Sequence, residues 1–299
     1  MSKRVFVTGA TGFTGSHVVP LLLRNNYQVR CLVRKDSKVD VLPVNEIELV
    51  CGDLDDPRTL AEGLQGMDIL VNIASLGFGH APNIIGAAVA AGIQRSIFIS
   101  TTAVNTSLNA PSKSVRLLAE DNIRRSGMAY TILRPTMIFG SSRDRNICRL
   151  IRYLGRWPII PVIGDGEYLQ QPVHVADLAS AIVQALEAGG VTIGQTYNIS
   201  GESSVTYNQL LDTVCRLMAR KVRKIHFPAR PIIFGLRALE RLPVRLPIKA
   251  EQVQRLNEHK AFDHSAASRD FGYRPRSLTE GIRQELEEME LVPISRLTS

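Results

Sequence analysis

The 299-residue chain is 44% hydrophobic and 21% charged, an ordinary globular composition, long enough for one large domain or two unequal lobes. No apolar run reaches the roughly 18 residues of a membrane span, and Met1-Ser2-Lys3-Arg4 leads straight into a strand with no secretory leader, so a cytoplasmic protein is expected. The formal charge of +8 is concentrated between Arg216 and Lys249, where ten Arg and Lys accompany one acid, Glu240, and the remainder is close to neutral.

Arg4-Val5-Phe6-Val7-Thr8 reads as a short buried strand. It runs into Gly9-Ala10-Thr11-Gly12-Phe13-Thr14-Gly15, and an apolar helix follows from Ser16 to about Asn25, with Pro20 expected to kink it. Strand, glycine turn and helix N-terminus together suit a diphosphate: glycine lets the backbone approach, while free N–H groups and the helix dipole face the anion. Further strands are expected at 28–33, ending in Arg34-Lys35; at 47–50, ending in Gly52-Asp53-Leu54; at 68–73, leading to Ala74-Ser75; and at 96–99, ending in Ser100-Thr101-Thr102. A sixth, 130–133, closes on Arg134-Pro135. The intervening helices are expected at 57–64 (Asp56 as cap, Pro57 at its first position), 80–91 and 117–125. Single helices between strands mean right-handed crossovers and a parallel sheet wound on both faces.

After Gly140 the pattern loosens into proline- and glycine-rich loops. A helix at 175–187 and a strand at 195–199 are expected to return to the main sheet, Thr206 to cap a helix through about Arg220, and residues from Val222 onward to form a small lobe over the strand ends. Cys31, Cys51, Cys148 and Cys215 lack metal-ligand spacing, and no metal site is expected. The basic stretch lacks interleaved stacking aromatics, so nucleic acid is not an expected partner.

Six segments together resemble the extended and atypical branch of the short-chain dehydrogenase/reductase superfamily, the epimerase/dehydratase-like proteins. They are Thr8 to Gly15 (TGxxGxxG), Gly52-Asp53-Leu54, Ser100-Thr101-Thr102, Leu133-Arg134-Pro135 through Gly140, Pro172 to Ala179, and Tyr197 to Gly201. The resemblance covers essentially the whole chain. It implies an α/β fold, a doubly wound parallel (Rossmann-type) sheet over residues 1–140, with a small C-terminal substrate lobe in 141–299 and segments 174–200 returning to the core. It also implies a dinucleotide held by Gly9, Thr11, Gly12, Phe13, Thr14, Gly15, Asp53, Leu54, Ala74, Arg116 and Pro135. NAD-users of this fold carry a carboxylate at the end of the second strand; Arg34 and Lys35 stand there instead and suit a 2′-phosphate, favouring NADP(H) over NAD(H).

The family's chemistry rests on a YxxxK helix and a preceding serine or threonine. A gap-free alignment through Glu120 and Tyr130-Thr131-Ile132-Leu133-Arg134-Pro135 puts Ser112 at the tyrosine position, Arg116 at the lysine position and Thr102 in the serine/threonine role. Serine cannot reach the near-neutral pKa of a tuned phenol, and arginine stays protonated, so the usual acid/base pair is missing. Lys113 is a runner-up ammonium, three residues out of register; His80, His174 and Asp177 are weaker candidates. Met137 replaces the asparagine with which nucleotide-sugar members commonly contact substrate, and with Phe139, Trp157, Ile159 and Ile160 it suggests an apolar pocket. Two readings follow. One is an NADP(H)-dependent oxidoreductase or epimerase-like enzyme of atypical mechanism, acting on a small apolar or sugar-derived carbonyl or hydroxyl substrate. The other is a redox sensor or scaffold that binds NADP(H) without turnover.

The stretch Arg216–Lys249 interleaves its charges with Ile232, Ile233, Phe234, Leu236, Leu239 and Leu242. If Pro231 opens a helix, Ile232, Leu236 and Leu239 share one face and Arg237 and Arg241 another, the pattern of a peripheral contact with an anionic membrane or an acidic protein partner.

Overall fold

A computed structural model describes residues 2–108, 111–240 and 250–291. The first half alternates strictly: β1 Arg4–Thr8, α1 Gly15–Arg24, β2 Gln28–Val33, β3 Glu48–Cys51, α2 Pro57–Leu64, β4 Ile69–Asn72, α3 Ala81–Ala90, β5 Arg95–Ile99, α4 Pro111–Arg125 and β6 Tyr130–Pro135. Then come β7 Ile138–Phe139, α5 Ile147–Arg156, β8 Ile159–Ile163, β9 Leu169–Gln170, β10 Val173–His174, α6 Val175–Glu187, β11 Gln195–Ile199, β12 Val205–Thr206 and α7 Tyr207–Leu217. The chain continues with β13 Arg223–Phe227, α8 Ala229–Leu239, α9 Ala250–Leu256, α10 Ser265–Phe271 and α11 Leu278–Glu288.

Seven strands form one parallel sheet in the order β11-β6-β5-β4-β1-β2-β3. This is a Rossmann-type α/β fold. From β1 the chain winds outward through β2 and β3, then crosses back to β4 and winds the other way. The order therefore reverses between β1 and β4, where a crevice opens beyond the strand ends. The central strands are buried on both faces and read as unbroken apolar runs, such as Ile69-Leu70-Val71 in β4. One apolar layer packs α1 and α6 against the sheet through Val18, Leu22, Leu178 and Ile182. The other packs α2, α3 and α4 through Leu60, Ile84 and Ile123.

A third core, built on Ile151, Leu154, Val162, Leu210, Val214 and Ile282, belongs to the second lobe. Three two-stranded ladders serve that lobe: β7 with β10, β9 with β12, and β8 with β13. Helix α4 starts at Pro111 rather than near Leu117: proline suits the first turn, and the helix extends N-terminal to the apolar periodicity that suggested the later start. Pro20 lies inside α1, which runs through it. Among the described residues no helix is long and apolar enough to cross a membrane.

Candidate functional site: a dinucleotide crevice and the pocket beyond it

The backbone leaves β1 at Gly9 with φ of 71°, and a Cβ there would stand 2.7 Å from the Ala74 nitrogen just beyond β4. A Cβ on Gly15 would run into the carbonyl oxygens of Gly9 and Ala10, and one on Gly12 would stand 3.1 Å from the Gly9 oxygen. The N–H of Gly12 closes the turn onto the Gly9 carbonyl at 3.1 Å. Among the described residues, no acceptor meets the N–H groups of Phe13 and Thr14, which immediately precede α1. These free donors and the positive end of α1 make the turn an anion cradle. Its floor is fixed by Thr8 Oγ1 donating to Asn72 Oδ1 at 2.6 Å, and Asn72 Nδ2 donating to the Ala74 carbonyl at 3.1 Å.

From this turn a cavity of about 610 Å³ runs along the strand ends. Gly9, Thr11, Gly12, Phe13, Thr14, Arg34, Asp53, Leu54 and Ala74 all line it. Gly15 is buried behind the turn, where it permits the tight packing of α1. Lys35 is exposed and does not line the cavity; Ser37 and Arg145 do. The guanidinium of Arg34 has no hydrogen-bond or ion-pair partner among the described residues, while its backbone N–H donates to Ser37 Oγ at 3.1 Å. Arg143 was not foreseen. It donates to Ser16 Oγ and the Thr11 carbonyl, both at 2.9 Å, and pins the loop after Gly140 to the glycine turn. The signal available was the alternation Arg143-Asp144-Arg145 directly after the RPxxxxG segment, which reads equally well as a solvated loop.

The cavity continues, past Thr14, Ile73 and Ser75, into a pocket of about 290 Å³. Ser112, Arg116 and Pro135 line it, with Ser100, Thr101, Ile138 and Arg255. Arg116 Nη1 donates to Ser112 Oγ at 2.8 Å, so the two residues expected at the family's tyrosine and lysine positions form one hydrogen-bonded unit. Burial first, and then the charge of Arg255, lower the pKa of the Arg116 guanidinium from its ordinary value. Among the described residues no carboxylate lines this pocket.

Thr102 does not line it. It is buried, its hydroxyl donating to the Pro135 carbonyl at 3.2 Å, and the neighbouring Thr101 occupies the wall instead. The chain begins a short helical turn at Thr102, which carries that side chain into the protein. Lys113 donates to the Thr106 carbonyl at 2.5 Å and also does not line the pocket. The apolar pocket expected from Met137, Phe139, Trp157, Ile159 and Ile160 does not form. Phe139 and Ile160 are core, Trp157 and Ile159 are exposed, and Ile138, on the opposite side of its short strand from its neighbours, reaches the pocket.

His174 caps α6, its Nδ1 accepting from the Ala176 N–H at 3.2 Å, and burial pushes its pKa down to about 3. It is neutral at physiological pH and holds a helix rather than a proton in transit. Asp177 is bound by Arg276, with a shortest contact of 2.8 Å, and His80 lines the crevice against Asp55 at 2.7 Å. Glu120, fully buried on α4, accepts from Ser100 Oγ at 2.6 Å and from Arg124 and Arg134. Burial works to raise its pKa, but the bonds from Arg134 and Ser100 outweigh it and hold the carboxyl below the usual range. This network ties α4 to the ends of β5 and β6 and so fixes the pocket wall. Asp144, Cys148 and Glu285 form a buried cluster, but Asp144 accepts from the N–H groups of Asn146 and Cys148, and Cys148 donates its thiol hydrogen to backbone carbonyls. Those contacts secure the start of α5.

Residues 9–189 match a family described as NAD(P)H-binding. Over 236 residues the chain is 28% identical to a ceramide reductase of Caulobacter vibrioides, covering 75% of this chain and 73% of that one. It is 30% identical over 226 residues to subunit 9 of the NADH dehydrogenase 1 alpha subcomplex of Dictyostelium discoideum, covering 70% of this chain and 62% of the relative's length. A crystal structure of the UDP-glucose 4-epimerase of Thermotoga maritima shares the fold at a TM-score of 0.75 and 19% identity, over 96% of this chain and 98% of that one. The glycine cradle at the switch point, the crevice along the strand ends and these likenesses agree: the chain belongs to the NAD(P)H-binding Rossmann family, with homologues in the extended short-chain dehydrogenase/reductase class and a fold shared with nucleotide-sugar epimerases.

Proposed function

We propose that the protein is an NADP(H)-dependent oxidoreductase that works without the tyrosine–lysine pair, on a small apolar or sugar-derived carbonyl or hydroxyl substrate. The observation that carries the cofactor choice is Arg34, an unpartnered guanidinium in the crevice wall where a ribose-binding carboxylate would select NAD(H). The turn from Gly9 to Thr14 would hold the diphosphate, Asp53 and Leu54 the adenine end, and Pro135 and Arg116 the nicotinamide end. When bound, the dinucleotide supplies or accepts the hydride. The chain's own part is to hold the substrate oxygen beside it. Ser112 Oγ accepts a hydrogen bond from Arg116, which leaves its own hydroxyl hydrogen free to donate to that oxygen. Arg116 then stabilises negative charge developing there, and water carries the proton, since neither side chain titrates near neutrality.

A second reading, a dinucleotide-binding sensor or scaffold without turnover, is favoured by that same replacement of tyrosine by Ser112 and lysine by Arg116. Calorimetry with NADPH and NADH, followed by single-turnover hydride transfer to carbonyl substrates, tests both. NADPH should bind more tightly than NADH, and Arg34→Ala should weaken NADPH alone by about 10–100-fold, from about 1.5–3 kcal/mol for a charge-assisted bond. Equal affinities that the variant leaves unchanged would refute the NADP(H) assignment. Tight binding with no hydride transfer would select the scaffold.

A further inference from the structure

The second lobe carries a strand, β13, whose apolar side chains face outward. β13 pairs in parallel with β8, matching Ile159 with Arg223, Pro161 with Ile225 and Ile163 with Phe227. Ile160 and Val162 of β8 point into the third core. On β13 the residues alternating with Ile225 and Phe227 are the polar ones, and they are occupied: Lys224 contacts Asp212 at 2.7 Å, and His226 Nε2 lies 3.2 Å from Asn208 Oδ1. The outward face therefore bears Ile159, Pro161, Ile163, Ile225 and Phe227, with Arg223 alone polar, where a half-buried sheet ordinarily turns polar side chains to water. Trp157, 51% exposed, stands at the head of β8 with the Arg156 guanidinium 5.7 Å from its ring centroid.

The segments that bear this face are themselves cationic. Neither 145–163 nor 216–239 contains an aspartate or glutamate. Arg220 donates to the Gly155 carbonyl at 2.9 Å and the Arg223 N–H to the Pro158 carbonyl at 2.8 Å, which hold the end of α7 and the start of β13 against the end of α5. Pro228 leads from Phe227 into α8, which packs on α9. Here the structure revises the expected helix. It starts at Ala229, Ile232, Ile233 and Leu236 are half-buried, and the exposed stripe is Arg230, Phe234 (77% exposed) and Arg237. Arg241, Leu242, Arg245 and Lys249 lie outside the described residues.

We infer that the outer face of the β8–β13 ladder, with Trp157 and the exposed stripe of α8, docks on the surface of an anionic lipid bilayer. Apolar side chains that none of the described residues covers, set among arginines with no carboxylate in the same segments, match a surface whose headgroups are negative and whose acyl boundary lies just beneath. A tryptophan at the edge of such a face sits naturally at headgroup depth.

Trp157 is the sole tryptophan, so its emission reports this face directly. The full-length protein should show a blue shift and cosediment with phosphatidylcholine vesicles containing phosphatidylglycerol. It should show neither with phosphatidylcholine alone, and salt should reverse both. Arg223→Gln and Arg237→Gln should each weaken partitioning about fivefold, converted from about 1 kcal/mol per basic residue near an anionic surface. Phe227→Ser should reduce the blue shift, and unchanged dinucleotide affinity would show that each variant is folded. Equal recovery in the supernatant with both vesicle types at low salt overturns the inference, as does binding that none of the three substitutions changes; the acidic protein partner would then be the face's remaining occupant.

Discussion

The two ends of the long cavity are built from different material. At the glycine turn the walls are backbone: N–H groups, a helix end, and positions where a Cβ would strike Ala74 or the Gly9 carbonyl. At the far end they are side chains held by other side chains, with Ser112 on Arg116 and Ser100 on the buried Glu120. Backbone geometry accepts few substitutions at the first end, where an added Cβ has no room. A side-chain wall can be rebuilt one residue at a time, and there Ser112 and Arg116 stand as one hydrogen-bonded pair. The difference teaches that an anion cradle built from backbone and a wall built from side chains can share one crevice.

The comparison breaks most readily at Gly12. Gly12→Val puts a branched side chain beside the Gly9 carbonyl and into the space of the diphosphate, and dinucleotide affinity should fall below detection in a protein that still unfolds cooperatively. Calorimetry finding wild-type affinity in the folded variant would dissolve the contrast at its stronger end.

Next in size is Glu120→Gln, which leaves Arg134 largely buried without its anion and should cost about 3 kcal/mol in urea denaturation at pH 7. The folded-state pKa of Glu120 is depressed, so its contribution is fully present above the ordinary carboxylate pKa and is lost as pH falls through the folded value. The gap between wild type and variant should therefore close in acid, below about pH 4. A gap that widens on acidification contradicts the network. Dinucleotide affinity should fall far less than in Gly12→Val, because Glu120 braces the wall at the nicotinamide end and not the diphosphate turn.

The smallest effect concerns the hydroxyls. Ser112→Ala should slow hydride transfer by about tenfold, the worth of one hydrogen bond to developing charge, with cofactor affinity unchanged. Thr102→Val should leave the rate alone and lower stability by about 1 kcal/mol, since its partner is the Pro135 carbonyl. A variant series in which Thr102→Val is inactive while Ser112→Ala is not would return Thr102 to the reacting group.

What the sequence by itself determined is the cofactor end. Strand, glycine turn and helix are contiguous, so Gly9 to Gly15 could be read as a local motif, and strands interleaved with single helices allow one winding of a parallel sheet. Arg34 was legible for the same reason, lying at the end of a strand whose position the alternation dictates. Only the tertiary structure decided the rest. Whether Thr101 or Thr102 faces the pocket depends on where a short helical turn begins, a matter of one residue that hydrophobic pattern does not resolve. Arg143 reaches the glycine turn, and Arg145 and Arg255 reach the cavity, from segments more than a hundred residues away. The outward turn of Ile225 and Phe227 depends on which face of β13 meets α7, and an alternating strand has the same sequence whichever face is buried.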